Sequence, residues 1–330
     1  MSFSIVDMSA PAASATPARE ARIAVLIPCR DEASTIASVV HAFQRALPTA
    51  SVYVYDNCST DGTADVAHRA GAIVRHETRP GKGLVVRRMF ADVDADVYLI
   101  VDGDDTYDSS VAAEMVEMLL SQELDMVVAA RGASDNDIDE RRGHAMGNRL
   151  FSRVVASFFG RAFTDVFSGY RVLSRRLVKT FPAESYGFEI ETEMTVHSLD
   201  LMLPVGEITA LYAARHMGGG ESKLRTIPDG ARIAGKIINL FRHSRPLAFF
   251  SILALLVTCV AWAVGGVVVV EYIDTGLVAR LPSAVLASAL QLVAVLLVAT
   301  GLILDSVARG RREAKRLAYL GYISPRVDPH

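Results

Sequence analysis

The sequence predicts an α/β domain, in which helices cover both faces of a mostly parallel sheet, followed by a hairpin of two membrane-spanning helices. The α/β prediction depends on short apolar segments that alternate with amphipathic ones over residues 21–226, as in sheets whose strands are joined by helical crossovers. The hairpin depends on two long uncharged segments near the C-terminus. Residues 1–20 are rich in Ala, Ser and Pro and lack the basic start and apolar run of a signal peptide. We expect a disordered arm there.

Apolar runs that end in polar or acidic residues predict the strands of the α/β domain. Strands are expected at 22–28, 51–56, 72–76, 96–105 and 124–131. Helices are expected between them, at 33–47, 59–72, 81–93 and 109–121. Ligands of such sheets bind beyond the carboxyl ends of the strands. Arg30, Asp56 and Asp102 fall at these ends and are therefore candidate site residues.

The two uncharged segments are residues 247–270 and 281–304. At about 1.5 Å per residue, either helix covers a hydrocarbon core of about 30 Å. The alternative is a pair of buried helices in a large soluble core, where uncharged runs of this length are rare. We therefore expect two membrane spans within residues 247–305.

Basic residues flank this pair of segments on both sides, at 242–245 and at 309–316, whereas the short connector at 271–280 is mainly acidic. Basic residues stay on the cytoplasmic side of a membrane. The α/β domain at 21–226 and both termini are therefore expected in the cytoplasm. An interfacial amphipathic helix at 227–246 leads into the spans, and residues 306–330 are expected to form a basic cytoplasmic tail.

The overall charge and the cysteines exclude some classes of protein. The net charge is −3, so no global attraction to nucleic acid is expected. Three cysteines, Cys29, Cys58 and Cys259, have no metal-like spacing. They indicate reduced thiols in a cytoplasmic compartment and not a disulfide framework.

An acidic cluster stands at the end of the strand at 96–105, in the segment VDGDDTYD. A strand end crowded with carboxylates is costly unless a cation shares it. In an extended segment Asp102 and Asp104 point the same way, so both could ligate one hard divalent ion. The alternative is a solvated acidic turn that caps the helix from Ser109.

Two further segments suit parts of a nucleotide. Asp56 ends the second strand, where its carboxylate could accept a hydrogen bond from a base N–H, while Asp61 or Ser59 could instead cap the next helix. Lys82 lies between two glycines at a helix start, a place where backbone N–H groups and a lysine suit a diphosphate. The alternative is that this segment forms an ordinary glycine turn with no role in binding.

Basic segments follow these motifs. Most arginines between 131 and 176 are expected to be solvated surface charges. The helix expected at 144–160 has an apolar face that could pack on the core or lie in a membrane interface, and periodicity does not separate the two. Arg215 and Lys223 bracket a glycine run, which suits either closure over a phosphate-bearing ligand or a linker.

The motifs VLIPCRDE, YDNCSTDGT, GKG, DGDDTYD, TDVFSGYR, GFEIETEM and RHMGGGESKL occur in this order over about residues 21–245. Together they resemble glycosyltransferase family 2, and more specifically its polyprenyl-phosphate and dolichyl-phosphate sugar synthases. The resemblance implies a GT-A fold, a nucleotide-diphospho-sugar donor with UDP favoured, Mg²⁺ or Mn²⁺, and inversion at the anomeric carbon. It also implies a polyprenyl-phosphate acceptor at the cytoplasmic face of a cell inner membrane, and a homo-oligomer is compatible with it.

The resemblance also implies roles for individual residues. The metal ligands are Asp102 and Asp104, and the catalytic residues are Asp104, Asp165 and Arg215. The residues that contact the nucleotide-sugar are Pro28, Arg30, Glu32, Asp56, Asn57, Lys82, Asp102 and Gly103. The residues that contact the lipid phosphate are Arg131, Arg149, Ser222 and Lys223. Asp165 is expected to orient an arginine or the sugar, because a lipid phosphate is already an anion and needs no general base.

The chain departs from the family pattern at three places and leaves two rival functions open. Asp31 stands where Asn is usual, Asn57 where a second Asp is usual, and Gly103 where Ala is common. Asn57 could still hydrogen-bond a base or ribose, so its change concerns base identity. The motif of the processive polysaccharide synthases, Gln-x-x-Arg-Trp, is absent from the sequence. The rivals are transfer to a hydroxyl of a glycolipid and a non-catalytic membrane scaffold.

Overall fold

The structure is a computed structural model that describes residues 21–132, 164–187, 189–212, 239, 241–243 and 245–322. In these residues seven strands form one sheet, in the order β3-β2-β1-β4-β6-β5-β7. The strands are β1 (Ile23–Cys29), β2 (Ser51–Asp56), β3 (Ile73–His76), β4 (Val97–Ile100), β5 (Met126–Arg131), β6 (Arg171–Ser174) and β7 (Val205–Ala210). Strand β6 runs antiparallel to its neighbours β4 and β5, and the other described pairs are parallel.

Six helices accompany the sheet in the described residues. They are α1 (Ile36–Ala46), α2 (Thr63–Arg69), α3 (Lys82–Asp92), α4 (Ala112–Ser121), α5 (Arg175–Thr180) and α6 (Ile190–Asp200). The five strands and four helices expected from the sequence are confirmed, with α1 beginning at Ile36 and a short 3₁₀ turn at Ser109–Val111 preceding α4. Strands β6 and β7 were not expected, since each is a short segment without a strong apolar run.

Successive residues of β1 explain why helices cover both faces of the sheet. Val25 and Ile27 point into one buried core together with Phe43 of α1, whereas Leu26 points into a second core with Met89 of α3 and Met194 of α6. A strand that is buried on both sides is a continuous apolar run. Helices therefore cover both faces, and the carboxyl ends of the parallel strands β1, β2 and β4 lie together at one edge of the sheet.

Two long helices follow, α7 (Pro246–Thr275) and α8 (Leu281–Leu320). Both are long and apolar enough to cross a membrane. Their shared seam is lined by small buried residues at intervals of seven, namely Ala254, Ala261 and Val268 of α7 and Ala294, Gly301 and Ala308 of α8. A repeat of seven keeps one face of each helix in contact with its partner, and small residues let the backbones approach.

Helix α8 is longer than the membrane span expected from the sequence. It continues to Leu320 without a break, so residues 306–320, expected as a separate tail, are part of the helix. Arg312 forms an ion pair with Asp200 at 3.5 Å, and Tyr319 packs against the core of the α/β domain. These contacts hold the segment as a helix.

His197 of α6 gives the domain an acid-sensitive point. Its ring is buried, neither nitrogen has a hydrogen-bond partner in the described part of the chain, and Phe181 packs edge-on against it. Burial, followed by the nearby charge of Lys315, lowers the pKa of His197 to about 3. The folded protein therefore holds the ring neutral, while the unfolded chain takes up a proton below about pH 6.5.

For this reason we expect the free energy of unfolding to decrease as the pH is lowered. Because the folded pKa lies below the unfolded value, the loss begins near pH 6.5 and reaches about 2 kcal/mol at pH 5. His197→Phe, which fills the space without a titrating group, should remove this part of the acid sensitivity. Thermal unfolding of both full-length proteins in detergent, at roughly pH 8 and pH 5, measures how much stability each one loses. If the stability of the two proteins decreased equally between these pH values, His197 would not be the acid-sensitive group.

Candidate active site

Three carboxyl groups meet at the carboxyl end of β4. Asp102 and Asp104 lie in the segment that leaves β4, and the carboxyl group of Glu32, from the loop after β1, lies over Gly103. A Cβ atom at Gly103 would clash with Glu32 and with the Cys29 sulfur. The absence of a Cβ atom at Gly103 thus gives the Glu32 carboxyl group room at this position.

Glu32 is the unusual member of this cluster. Its Oε2 atom is buried and has no hydrogen-bond partner among the described residues. Burial, together with the charges of Asp102 and Asp104, raises the pKa of Glu32 to about 8. The Glu32 carboxyl group therefore takes up a proton near neutral pH, and a cation bound beside it would lower its pKa again.

The residues of this cluster fit a divalent ion. Their donor atoms are carboxylate oxygens, which Mg²⁺ and Mn²⁺ prefer. Within the described part of the chain, no group of three or more His, Cys, Asp or Glu side chains converges to hold a metal. Mg²⁺ is commonly bound by one or two carboxylates together with substrate phosphates. Asp102 and Asp104 therefore suit an ion that a diphosphate completes.

Lys82, at the start of α3, lies between two carboxylates. Its Nζ atom is 2.5 Å from Asp102 Oδ1 and 2.5 Å from Glu191 Oε1. Burial opposes the charge of this ammonium group, but the two carboxylates outweigh it and raise the pKa of Lys82. Burial also raises the pKa of Glu191, which Lys82 partly offsets. The lysine expected to bind a diphosphate is held at Asp102 in this structure.

Glu191 is a site residue that the sequence alone did not single out. It stands among three glutamates of the segment GFEIETE, and the spacing does not rank them. The structure separates two of them, because Glu191 reaches Lys82 whereas Glu193 accepts hydrogen bonds from the backbone N–H groups of Glu184 and Ser185 at 2.8 Å each. Glu191 is therefore identified by its contact with Lys82 in the fold and not by the motif.

Asp56 ends β2 with one carboxylate oxygen available to a ligand. Its Oδ1 atom is buried without a hydrogen-bond partner in the described residues, while Oδ2 accepts from Ser59 N at 3.4 Å. Asp61 instead accepts from Thr63 N at 3.0 Å at the start of α2. Asp61 lies one residue before the N-cap position Gly62 of α2, and the role of Asp56 as an acceptor for a ligand N–H stays a prediction.

Asn57 has a different contact from the one expected. Its amide donates to the carbonyl oxygens of Glu77 at 3.0 Å and Arg79 at 2.8 Å, and its oxygen accepts from Gly81 N at 2.8 Å. Both amide hydrogens are thus used to shape the loop that leads into α3. Asn57 therefore positions the loop that carries Lys82, and its contact with a base or ribose stays a prediction.

Pro28 and Arg30 lie where the sequence placed them. Pro28 is buried in β1 opposite Tyr55 of β2. Arg30 follows the strand with an exposed side chain, 3.9 Å from Asp31. Arg30 therefore projects into solvent beside the site, where a ligand phosphate or base could reach it.

Asp165 and Arg131 form a paired unit at the end of β5. Arg131 Nε donates to Asp165 Oδ2 at 2.6 Å and Nη2 donates to Oδ1 at 2.9 Å, and the guanidinium lies 5.5 Å from the ring centre of Tyr212. Burial opposes the charge of Asp165, but the hydrogen bonds from Arg131 hold its pKa below the ordinary value. Asp165 is thus an orienting carboxylate for an arginine, which is one of the two roles expected for it.

Arg171 corrects the expectation that arginines in this part of the chain are solvated. It is fully buried, and its guanidinium donates to the carbonyl oxygens of Ser168 at 2.8 Å and Val166 at 2.7 Å and to Thr195 Oγ1 at 2.8 Å. It therefore shapes the loop that presents Asp165. A strand prediction at 171–174 would have supplied the signal, since Arg171 is the first residue of β6.

Several sequence-predicted site residues lie outside the described residues and stay predictions. They are Arg149, Arg215, Ser222 and Lys223. The helix expected at 144–160 and most of the interfacial helix at 227–246 also lie outside them.

The chain was compared with known families and proteins. The model of the family described as Glycosyl transferase family 2 matches residues 24–181. Protein RfbJ of Shigella flexneri is 56% identical over 122 residues, which cover 37% of this chain and 95% of that protein. Glycosyltransferase AglJ of Haloferax volcanii is 34% identical over 229 residues, covering 69% of this chain and 75% of that protein. The undecaprenyl-phosphate mannosyltransferase of Micrococcus luteus is 23% identical over 237 residues, covering 67% and 93%.

A solved structure supplies the comparison of the fold. The glucosyl-3-phosphoglycerate synthase of Mycobacterium tuberculosis, in complex with Mn²⁺, UDP and phosphoglyceric acid, superposes with a TM-score of 0.54 at 19% identity. The match covers 68% of this chain and 78% of that one. The likeness shows a shared fold, and the expected GT-A-type architecture is confirmed.

Proposed function

Since this chain belongs to glycosyl transferase family 2, we propose that it is a membrane-anchored hexosyltransferase that moves a sugar from a nucleotide-diphospho-sugar to a polyprenyl phosphate. The proposed reaction inverts the anomeric carbon, and UDP is the proposed nucleotide. The proposed location is the cytoplasmic face of a membrane, held by α7 and α8.

The carboxylate cluster at the carboxyl end of β4 is the observation that carries this proposal. Asp102 and Asp104 offer oxygen donors for an ion on a diphosphate, and the Oε2 atom of Glu32, buried without a hydrogen-bond partner in the described residues, supports a cation there. At the end of the next but one strand, the unpaired Oδ1 of Asp56 can accept from the N–H of a uracil ring. The two features together suit a nucleoside diphosphate laid along the sheet edge.

The state of the other carboxylates supports a phosphate acceptor. A hydroxyl acceptor needs a carboxylate base beside its oxygen. In the described part of the site, Asp165 is hydrogen-bonded to Arg131 and Glu191 is paired with Lys82, so both carboxylates are already engaged by cations. A lipid phosphate is an anion already and can be met by Arg131, whose partly exposed guanidinium Asp165 holds in place.

In the proposed mechanism, an oxygen of the lipid phosphate attacks C1 of the sugar and the bond from C1 to the diphosphate breaks, so that the nucleoside diphosphate leaves and no proton is moved. A divalent ion bound by Asp102 and Asp104 would supply positive charge for the leaving diphosphate. Asp56 orients the base, and the loop shaped by Asn57 brings Lys82 beside the same diphosphate. Asp165 keeps the guanidinium of Arg131 aimed at the acceptor.

The relatives support the acceptor and the metal. The Micrococcus luteus relative is named for transfer involving undecaprenyl phosphate, and it matches over 93% of its own length. The Mycobacterium tuberculosis structure contains Mn²⁺ and UDP on the same fold. The two apolar helices and the basic residues around them support a location beside a membrane, where such a lipid is found.

Labelled UDP-hexoses and GDP-mannose incubated with the purified full-length protein test the proposal. Polyprenyl phosphate and the matching polyprenol serve as acceptors in the same detergent. We expect transfer to the phosphate to exceed transfer to the alcohol by at least about 100-fold, because a site built for a charged group rejects the analogue without it.

The pH profile separates the two acceptor classes further. Activity on the phosphate should rise through the second phosphate ionisation at about pH 6 and then stay level. Equal rates on phosphate and alcohol would contradict the phosphate acceptor and favour transfer to a hydroxyl. Absence of transfer from every donor would favour a non-catalytic role.

A further inference from the structure

Helix α8 links the proposed membrane span to the α/β domain through one continuous helix. Its uncharged part ends at residue 304, and the helix continues to Leu320. At about 1.5 Å per residue, residues 305–320 extend about 24 Å beyond the hydrocarbon. The far end of this segment is fixed to the domain by side-chain contacts.

The far contact is a buried polar cluster around Asp125. Tyr319 Oη donates to Asp125 Oδ2 at 2.7 Å across 194 positions of the chain. Asp125 is fully buried and also accepts from Arg176 Nε at 2.5 Å and from Ser174 Oγ at 2.6 Å. The Arg176 guanidinium lies 4.8 Å from the centre of the Tyr319 ring. A buried carboxylate with this many donors is a specific and rigid anchor.

A second contact lies nearer the membrane on the same helix. Arg312 pairs with Asp200 at the end of α6 at 3.5 Å. Arg312 and Tyr319 are seven residues apart, so they share one face of α8 and are about 10 Å apart along it. Two contacts on one face prevent the domain from rotating about the helix.

The anchor lies at the opposite end of β5 from the candidate site. Asp125 immediately precedes β5, whereas Arg131 ends it beside Asp165. A strand of six residues is about 20 Å long.

We propose that residues 305–320 of α8 are a spacer that fixes the distance between the membrane and the α/β domain, with Tyr319 as the positioning residue that clamps the domain to it. This inference rests on the proposed transfer to a lipid phosphate. Lengthening the spacer should lift the site off the bilayer without altering the site itself.

The test inserts seven helix-forming residues after Gly310, whose surroundings are open. Seven residues lengthen the helix by about 10 Å and nearly restore its face, so Arg312 and Tyr319 keep their partners. In lipid vesicles, kcat/KM for polyprenyl phosphate should fall at least about 100-fold, since misplacement by 1 Å can already cost that much. Transfer to a water-soluble short-chain prenyl phosphate and the affinity for UDP should change less than about threefold.

The matched control places the same seven residues after Tyr322, beyond the anchor, where the height of the site does not change. It should behave as the unaltered protein with both acceptors. Tyr319→Phe, which keeps the ring and removes the hydrogen bond to Asp125, should lower transfer in vesicles but not transfer to the soluble acceptor.

Full activity of the lengthened protein on vesicles would overturn the spacer, and so would an equal loss on both acceptors, because that loss would come from the site and not from its height. The unaltered protein is measured first on both phosphate acceptors. If it used neither, the proposed function would fail, and the spacer would fail with it.

Discussion

Replacing Asp104 with Asn is expected to lower turnover more than about 100-fold while the protein stays folded, since loss of even an outer-sphere partner of a metal costs about 10–100-fold. Asp104 is buried, and its Oδ1 atom accepts from Thr106 Oγ1 at 2.6 Å, a contact that the Asn oxygen can keep. The change removes one negative charge from the proposed ion site, so the diphosphate should leave less readily. Initial rates at saturating Mn²⁺ measure the effect.

Asp108→Asn is the matched control for this experiment. It makes the same change of charge four residues away, where the side chain accepts from Ser110 N at 2.8 Å and begins the 3₁₀ turn, and Asn caps a helix as well as Asp does. Turnover should stay near that of the unaltered protein. Binding of Mn²⁺ in the presence of UDP, followed by electron paramagnetic resonance, should weaken in Asp104→Asn alone. Near-normal turnover in Asp104→Asn would show that Asp104 is not a ligand.

Replacing Lys82 with Met is expected to destabilise the domain by about 3–5 kcal/mol, because it leaves buried carboxylates without their counter-charge. Lys82 bridges Asp102 and the buried Glu191. Its loss should raise the pKa of Glu191 further above the ordinary value. The deficit in stability should therefore be largest near pH 8 and shrink toward about pH 5, as the carboxyl groups take up protons. Chemical unfolding across this pH range measures it.

A second substitution distinguishes the effect of losing the Lys82 charge from the effect of changing the side-chain packing there. Adding Glu191→Gln to Lys82→Met removes one of the stranded charges and should restore a large part of the lost stability. Lys179→Met is the control, because Lys179 donates to the carbonyl oxygens of Phe90 and Val93 and its loss strands no carboxylate, costing about 1 kcal/mol. Equal losses in Lys82→Met and Lys179→Met would refute the bridging role of Lys82.

Much of the sheet could be predicted because its signals are local. The apolar runs of β1, β2 and β4 are buried on both faces and are readable from consecutive residues. The position of Asp56 and Asp102 just after such runs followed directly, since carboxyl ends of parallel strands share one edge. The antiparallel strand β6 was missed, because its four residues begin with an arginine and end with a serine and so form no apolar run.

The partners of the site residues could not be predicted in the same way. The letters GKG around Lys82 suited a diphosphate, but Glu191 and Asp102 come from distant parts of the chain to hold the ammonium group. The motif predicts that Asn57 contacts the nucleotide, whereas in the structure its amide group donates to the backbone of the loop before α3. Hydrogen-bonding groups take whichever partner the fold brings near, and sequence spacing does not describe that choice.

The sequence by itself determined the class of the domain, the two apolar helices, and the acidic edge at Asp102 and Asp104, because hydrophobic periodicity and strand ends are properties of neighbouring residues. Only the tertiary structure decided that Arg171 is buried and that Tyr319 reaches Asp125. Burial and long-range contacts depend on how separate elements pack, and the free energy of a buried charge is set by its surroundings in space and not by its place in the chain.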